Sequence, residues 1–261
     1  MNLQKLIFTE NACYKAGEKI KPKGIMVHST GANNPNLRRY VGPDDGKLGV
    51  NKYGNHWNQE TPSGRRVCVH GFIGKLKDGS IATYQTLPWD HRGWHSGGSA
   101  NDTHISFEIC EDGLADPEYF GKVYQEAVEL CAHLCKLYGL TEKDIICHSE
   151  GHKLGIANNH GDVMHWFPKH GKSMDTFRAD VKALLVEEAW TPKVGDVVNY
   201  AGKVHYSHAN AISGPACKPG KAKITAIYRP GKSSHPYHLV RISGGGSTVY
   251  GWVDAGTFTK A

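Results

Sequence analysis

The stretch Ile145 to Trp166, IICHSEGHKLGIANNHGDVMHW, restricts what this chain can fold into more than any other. A β-branched run, Ile145-Ile146, brings His148 to the end of a short strand, and a Gly/Asn-rich loop returns with His160, Asp162 and His165. Gathered this way, imidazoles and a carboxylate look like half of a metal site. The best candidate for the other half is His28, which closes the apolar run Gly24-Ile25-Met26-Val27. Two imidazoles at two strand ends and one loop carboxylate make the three protein ligands of an open, catalytic zinc site, with the fourth position left to water. The chain must therefore bring strands distant in sequence to one edge of one sheet.

Its 261 residues suggest about two domains. With 39% hydrophobic and 21% charged residues, the composition is that of an ordinary soluble globular protein. Leu6-Ile7-Phe8 is too short for the apolar centre of a signal peptide, and no run approaches the roughly 18 apolar residues of a membrane span. The expectation is a chain made in the cytoplasm, without membrane attachment. The seven cysteines include no C-x-x-C pair, so neither a disulfide framework nor a thiolate zinc cluster is indicated, and reduced thiols are expected.

Read in order, residues 1 to 22 are polar and weakly patterned. Gly24 to His28 is a buried strand, Asn34-Pro35-Asn36-Leu37 opens a helix, and residues 41 to 66 form a long loop. Val67 to Ile73 and Ser80 to Thr86 are strands joined by the hairpin signal Lys77-Asp78-Gly79. In the strand Ile105 to Cys110, alternation places Ser106, Glu108 and Cys110 on one face and Ile105, Phe107 and Ile109 on the other. Pro117 to Tyr138 is a helix with Phe120, Val123, Ala127, Leu130, Leu134 and Leu137 at helical spacing and Gly139 as its stop; Cys131 and Cys135 are small core residues on its flank. A last helix runs from about Met174 to Glu188, and Trp190-Thr191-Pro192 is a linker. Strands mixed with amphipathic helices predict an α/β domain, residues 1–190, with a mixed central sheet flanked by helices.

From Val194 the texture changes to short β-rich segments, Val197 to Tyr200, Ala222 to Tyr228, Tyr237 to Ile242 and Thr248 to Val253, separated by Gly/Pro/Ser turns. That spacing predicts a small all-β barrel of about five strands over residues 191–261. Charge divides at the same place. Residues 191 to 261 hold nine Lys/Arg against Asp196 and Asp254, whereas the rest of the chain holds 22 basic and 23 acidic residues. The whole net charge of +6 thus derives from the last part, which suits an anionic polymer. No nucleic-acid recognition motif is present.

A catalytic metal needs ligands, an acid/base group and a stabiliser of the developing oxyanion. His28, His148 and Asp162 suit the first role, Glu108 the second and His160 the third. His148-Ser149-Glu150-Gly151-His152 lacks the order of a helical H-E-x-x-H motif.

Residues 20 to 188 resemble the zinc-dependent N-acetylmuramoyl-L-alanine amidases of the type 2 class, a group that includes peptidoglycan recognition proteins and many phage lytic enzymes. The resemblance rests on Met26-Val27-His28-Ser29-Thr30, Val69-His70-Gly71-Phe72-Ile73 followed by Asp78-Gly79, and Gly93-Trp94-His95-Ser96-Gly97. It continues through Asn101-Asp102, Ile105 to Ile109 and Ile146-Cys147-His148-Ser149. It implies one zinc held by His28, His148 and Asp162, with His165 in reserve because Val163 stands where the family has proline. It also implies Glu108 as the group that activates water, His160 facing the scissile carbonyl, and a substrate groove at Trp94 and His95 beside Ser29 and Thr30; His70 matches a strand position of the family pattern and is read as a packing residue. The bond cut would join the lactyl group of N-acetylmuramic acid to L-alanine.

Val194-Gly195-Asp196-Val197-Val198, His235-Pro236-Tyr237-His238-Leu239 and Val249-Tyr250-Gly251-Trp252-Val253 resemble bacterial SH3-like wall-binding modules. Tyr206, Tyr237 and Tyr250 are the expected wall-binding platforms, Tyr228 is a further candidate aromatic, and about half of these rings, Trp252 among them, are expected in the core. The combined reading is a phage or prophage endolysin that cuts peptidoglycan, binds an anionic wall polymer, and engages no nucleic acid, membrane or obligate protein partner. It would reach the wall after a membrane lesion or lysis. A non-catalytic peptidoglycan-binding protein and a cytosolic muropeptide-recycling amidase are the alternatives.

Overall fold

A computed structural model describes residues 1–185 and 190–261, and the chain divides into two units, Met1–Val186 and Glu187–Ala261. In the first, β1 (Leu3–Lys5) and α1 (Ala12–Ala16) precede β2 (Gly24–Asn33), β3 (Gly71–Lys75), β4 (Ile81–Gln85) and β5 (His104–Glu111). There follow α2 (Pro117–Tyr138), β6 (Ile145–Cys147), α3 (His148–Lys153) and α4 (Met174–Leu185). The sheet order is β1-β4-β3-β5-β2-β6, in which only β3 and β4 run antiparallel.

Alternation along β2 and β5 sorts their side chains. Ile25, Val27, Ile105, Phe107 and Ile109 are fully buried in the core that includes α2, while Cys110 lies in a second core with Leu37, Tyr40, Phe72 and Tyr84. The helix α2 begins where Asp116 accepts hydrogen bonds from the backbone of Glu118 and Tyr119, with Pro117 following, and it stops at Gly139, whose φ of 66° suits glycine. Phe120, Val123, Ala127, Leu130, Cys131, Leu134 and Cys135 are buried on it. Each large apolar side chain covered this way contributes about 1.5–3 kcal/mol. Leu137, counted above with this stripe, is instead exposed.

Other expectations are corrected. The weakly patterned N-terminus contains β1, paired parallel with β4, and the helix α1. The helix expected from Asn34 is a single turn, Leu37–Arg39. Val67 to His70 precede β3 rather than belong to it, Cys68 bridging to Trp94. Of the last predicted helix, residues 186–188 lie outside the described residues. Cys13 and Cys68 are joined by a disulfide, contrary to the expectation of reduced thiols, while Cys110, Cys131, Cys135, Cys147 and Cys217 are free. The bonded pair is 55 residues apart and sits in two segments without periodic pattern, so no local spacing announced it.

The second unit contains β7 (Val197–Tyr200), β8 (Gly220–Ile227), β9 (Tyr237–Arg241), β10 (Tyr250–Val253) and β11 (Phe258–Lys260). They form one antiparallel sheet of order β10-β9-β8-β7-β11. Its core holds Val198, Tyr200, Ile224, Tyr237, Leu239, Val253 and Phe258. Tyr237 is therefore a core residue packed edge-on against Phe258, not a platform. Trp252, expected inside, is only half-buried, because strand alternation turns its neighbours Gly251 and Val253 inward. No described helix is long and apolar enough to cross a membrane.

Candidate active site

Strand register builds the site. Val27 pairs with Cys147, so the next residue of each chain segment, His28 and His148, emerges at the same edge, and His28 itself pairs with Glu108. His148 is not the last strand residue, as expected, but the first residue of α3, whose start is held by the Glu150 carboxylate accepting from Cys147 N. The loop after α3 brings Asp162 onto this edge, with the Asp162–Val163 peptide in cis.

His28 Nδ1 lies 2.9 Å from Asp162 Oδ2 and 3.0 Å from His148 Nδ1. His148 Nδ1 is 3.7 Å from the same carboxylate oxygen. One donor atom from each residue can thus be chosen so that all three lie within 4.8 Å of one another, a set able to hold a metal ion. His148 Nε2 donates to Asn158 Oδ1 at 2.7 Å, which leaves its Nδ1 lone pair for the centre. A lone pair on His28 Nδ1 likewise requires its Nε2 proton to point at His95 Nδ1, 3.0 Å away. Ser29 Oγ, His95 Nε2 and Glu108 Oε2 are buried at this edge with no hydrogen-bond partner among the described residues.

Burial and neighbouring charge shift the groups at the centre in different directions. Burial pushes the Asp162 carboxyl up, but the His28 hydrogen bond and the nearby His28 and His148 charges outweigh it and hold the carboxyl below its ordinary range. Burial pulls His28 down, and the Asp162 hydrogen bond with the Glu108 and Asp162 charges more than restores it. His148 is lowered by burial and by His28. Glu108 is pushed up to about 7, first by burial and then by Asp162 and Glu111, against the pull of His28. A carboxyl near neutrality can both take and return a proton.

The other predicted residues fall around a cleft of about 1040 Å³. His160 is mostly exposed, its ring stacked 4.8 Å from that of His148 and its Nδ1 4.0 Å from Asp162 Oδ1. Trp94 is exposed on the cleft lining, with the Arg92 guanidinium 5.2 Å from its ring. His95 also lines the cleft, and burial together with the neighbouring His28 keeps it well below the ordinary histidine range. Ser29 and Thr30 both line the cleft, but the Thr30 hydroxyl accepts from Glu111 N. His165 does not join His28 and His148; its Nε2 meets Glu111 Oε1 at 3.0 Å. His70 is buried between the Ser106 hydroxyl and the His91 carbonyl, and burial lowers it to about 4.

Three residues support the site in roles that the sequence did not assign, though Asn101 stood in a recognised motif. Asn158 bonds His148, and Asn101 Oδ1 accepts from His95 N and Ser96 N at 2.9 Å each. The buried Glu111 carboxylate accepts from Gly31 N and meets His165, tying the end of β2 to the Asp162 loop. A visible signal was Gly97: its φ is +63°, and an added Cβ would lie 2.6 Å from Asn158 Nδ2.

Residues 18–165 match the family described as N-acetylmuramoyl-L-alanine amidase, and the chain belongs to that family. Among solved structures it is similar to the hydrolase AmiA of Staphylococcus aureus in complex with its ligand, with 19% identity, 72% of this chain and 83% of that chain covered, and a TM-score of 0.51. It is likewise similar to the PlyG catalytic domain in solution, with 21% identity, 74% of this chain and 100% of that chain covered, and a TM-score of 0.50. These likenesses carry the mixed α/β fold. No curated protein matches the chain.

Proposed function

We propose that the protein is a zinc-dependent endolysin amidase that hydrolyses the bond between N-acetylmuramic acid and L-alanine, targeted to the wall by its second unit. The observation that carries the reading is the convergence of His28, His148 and Asp162 beside a raised Glu108. Zinc–ligand bonds of about 2.0–2.2 Å in a tetrahedron set ligand atoms about 3.3–3.6 Å apart. The separations of 2.9, 3.0 and 3.7 Å bracket that edge, so the donor set fits zinc.

Bound zinc would polarise the scissile carbonyl and lower the pKa of water toward about 7. Glu108 takes a proton from the attacking water and delivers it to the departing alanine nitrogen. His160, exposed above His148, donates a hydrogen bond to the developing oxyanion, a role typically worth about 3 kcal/mol. His95 and Asn158 orient the two ligand imidazoles, and Trp94 offers a ring to the substrate.

In the second unit, we assign residues 191–261 to an SH3-like wall-binding module. Tyr250 and Tyr228 are exposed, and Trp252 and His238 lie between them in ring contacts of 5.4 to 6.3 Å. Tyr206 is instead stacked on His235, a buried ring that also bonds Asp254. Digestion of purified Gram-positive walls with and without chelator tests the enzyme: stem peptides with new N-terminal L-alanine, lost with chelator and restored by zinc, are expected. Wall binding with no new amine would leave a recognition protein. Removal of residues 192–261 is expected to abolish sedimentation with walls, and unchanged sedimentation rejects the targeting role.

A further inference from the structure

The cleft lining sorts charge in a way that catalysis does not require. Its acidic side chains, Glu108 and Asp162, belong to the catalytic edge, while Arg39, Arg65 and Arg66 line it from segments outside the sheet. We propose that these three arginines read free carboxylates of the stem peptide, so that the enzyme selects acidic stems over amidated ones. The inference rests on the amidase reading for the identity of its ligand.

Three points carry it. Among the described residues, the arginines in ion pairs are Arg92, with Glu18 and Asp102, and Arg178, with Glu150 and Asp175; the cleft arginines have no acidic partner. Nor are they a by-product of a basic chain, since residues 1–190 hold slightly more acidic than basic residues. Finally, they are mounted. Arg39 Nη1 donates to the Asn55 carbonyl at 2.7 Å and its guanidinium lies 5.2 Å from the Tyr40 ring, which fixes the fork and leaves further N–H groups for a ligand.

Arg65 and Arg66 are exposed, but their backbone is fastened on both sides. Arg65 N donates to the Pro62 carbonyl, Asn11 Nδ2 donates to the Val67 carbonyl, and the disulfide ties Cys68 to α1. A planar guanidinium matches a carboxylate through two parallel hydrogen bonds, which a neutral amide cannot return. Stem peptides carry such carboxylates on the second residue, on a diamino-diacid third residue, and at the C-terminus, and amidation removes them one at a time.

The test measures binding to full-length, zinc-loaded protein carrying Glu108→Gln, which keeps the peptide uncut. The ligands are N-acetylmuramoyl peptides with all carboxylates free, or with the second, third or C-terminal one amidated. At least one amidation is expected to weaken binding about tenfold, and that arm identifies the carboxylate read. The preference should shrink as salt rises, fall to within about twofold when Arg65→Gln and Arg66→Gln are added, and return in part with Arg65→Lys and Arg66→Lys. Equal affinity for all four peptides, or a preference that survives Gln at positions 39, 65 and 66 together, overturns the proposal. The parallel assay of unmutated protein for new N-terminal alanine reads the amidase separately, so either conclusion can fail without the other.

Discussion

The cleft has a strand-borne half and a loop-borne half, held by different means. His28, Glu108 and His148 owe their places to the register of three parallel strands, a ladder of backbone hydrogen bonds that moves only if the sheet moves. Asp162, His160 and His165 sit on a loop fixed by separate contacts. Ser149 N donates to the Asp162 carbonyl, Asn158 N to Ser96, Ala100 N to Ile156, and Glu111 meets His165. Below them Val163, Trp166 and Phe167 are buried in the α2 core. The lesson is a division of labour. Strand pairing sets the imidazole–glutamate spacing, and irregular loop contacts, backbone hydrogen bonds together with the Glu111–His165 pair, set where Asp162 and His160 meet it.

The largest effect should come from the strand half. Glu108→Gln is nearly isosteric and leaves the register alone, so zinc content should stay near one per chain while turnover falls about 10³-fold. Metal analysis alongside product release checks this; turnover within tenfold of the parent would remove Glu108 from proton transfer. The ligands come next. His148→Ala and Asp162→Ala should each release zinc to a chelator that leaves the parent loaded, and if the loop is the adjustable half, excess zinc should restore more activity to Asp162→Ala. Equal recovery would erase the distinction between the halves.

A smaller effect isolates the clamp. Glu111→Ala removes the acceptor shared by Gly31 N and His165 Nε2 without touching a ligand. Zinc affinity is expected to fall about tenfold, in the range of supporting-residue changes at metal sites, and Glu111→Gln should recover part of it. Competition with a coloured chelator reads this directly. An unchanged affinity in the alanine variant would mean that the buried Trp166 and Phe167 hold the loop unaided.

The same division decides what was legible in the sequence. His28 and His148 each follow an apolar run, and Glu108 alternates with Ile105, Phe107 and Ile109, so the strand half could be read from period and chemistry. The α2 stripe with its glycine stop was equally plain, apart from Leu137. The work of Asn158, Asn101 and Glu111 could not be read, although Asn101 stood in a recognised motif, because it depends on which segments meet, and a polar residue outside a periodic pattern does not announce its partner. The Cys13–Cys68 bond was hidden for the same reason. In the second unit, four strand positions followed from turn spacing while β11 did not, and neither did the order of inward and outward aromatics: Tyr237 and Trp252 exchanged the places expected of them. An aromatic residue suits either face of a small sheet, so only register separates core from surface.

The last prediction probes the strand half without metal. The Glu108 carboxyl, ordinarily near 4.5, sits at about 7 in the fold, mainly through burial. Below the lower value both folded and unfolded chains are protonated there, and the contribution to stability is complete. Between the two values the unfolded chain ionises while the folded chain keeps its proton, so stability falls as pH rises, by at most roughly 1.4 kcal/mol per unit. Above about 7 both are ionised and the loss is finished. Other groups titrate in this window, His28 among them, so the informative quantity is the difference between parent and Glu108→Gln. In chelator, the glutamine variant should gain stability relative to the parent between pH 5 and 7.5, measured as the urea midpoint of the first unit. A difference that stays constant over that range would show that Glu108 ionises at its ordinary pH, and burial would then not be what sets its proton affinity.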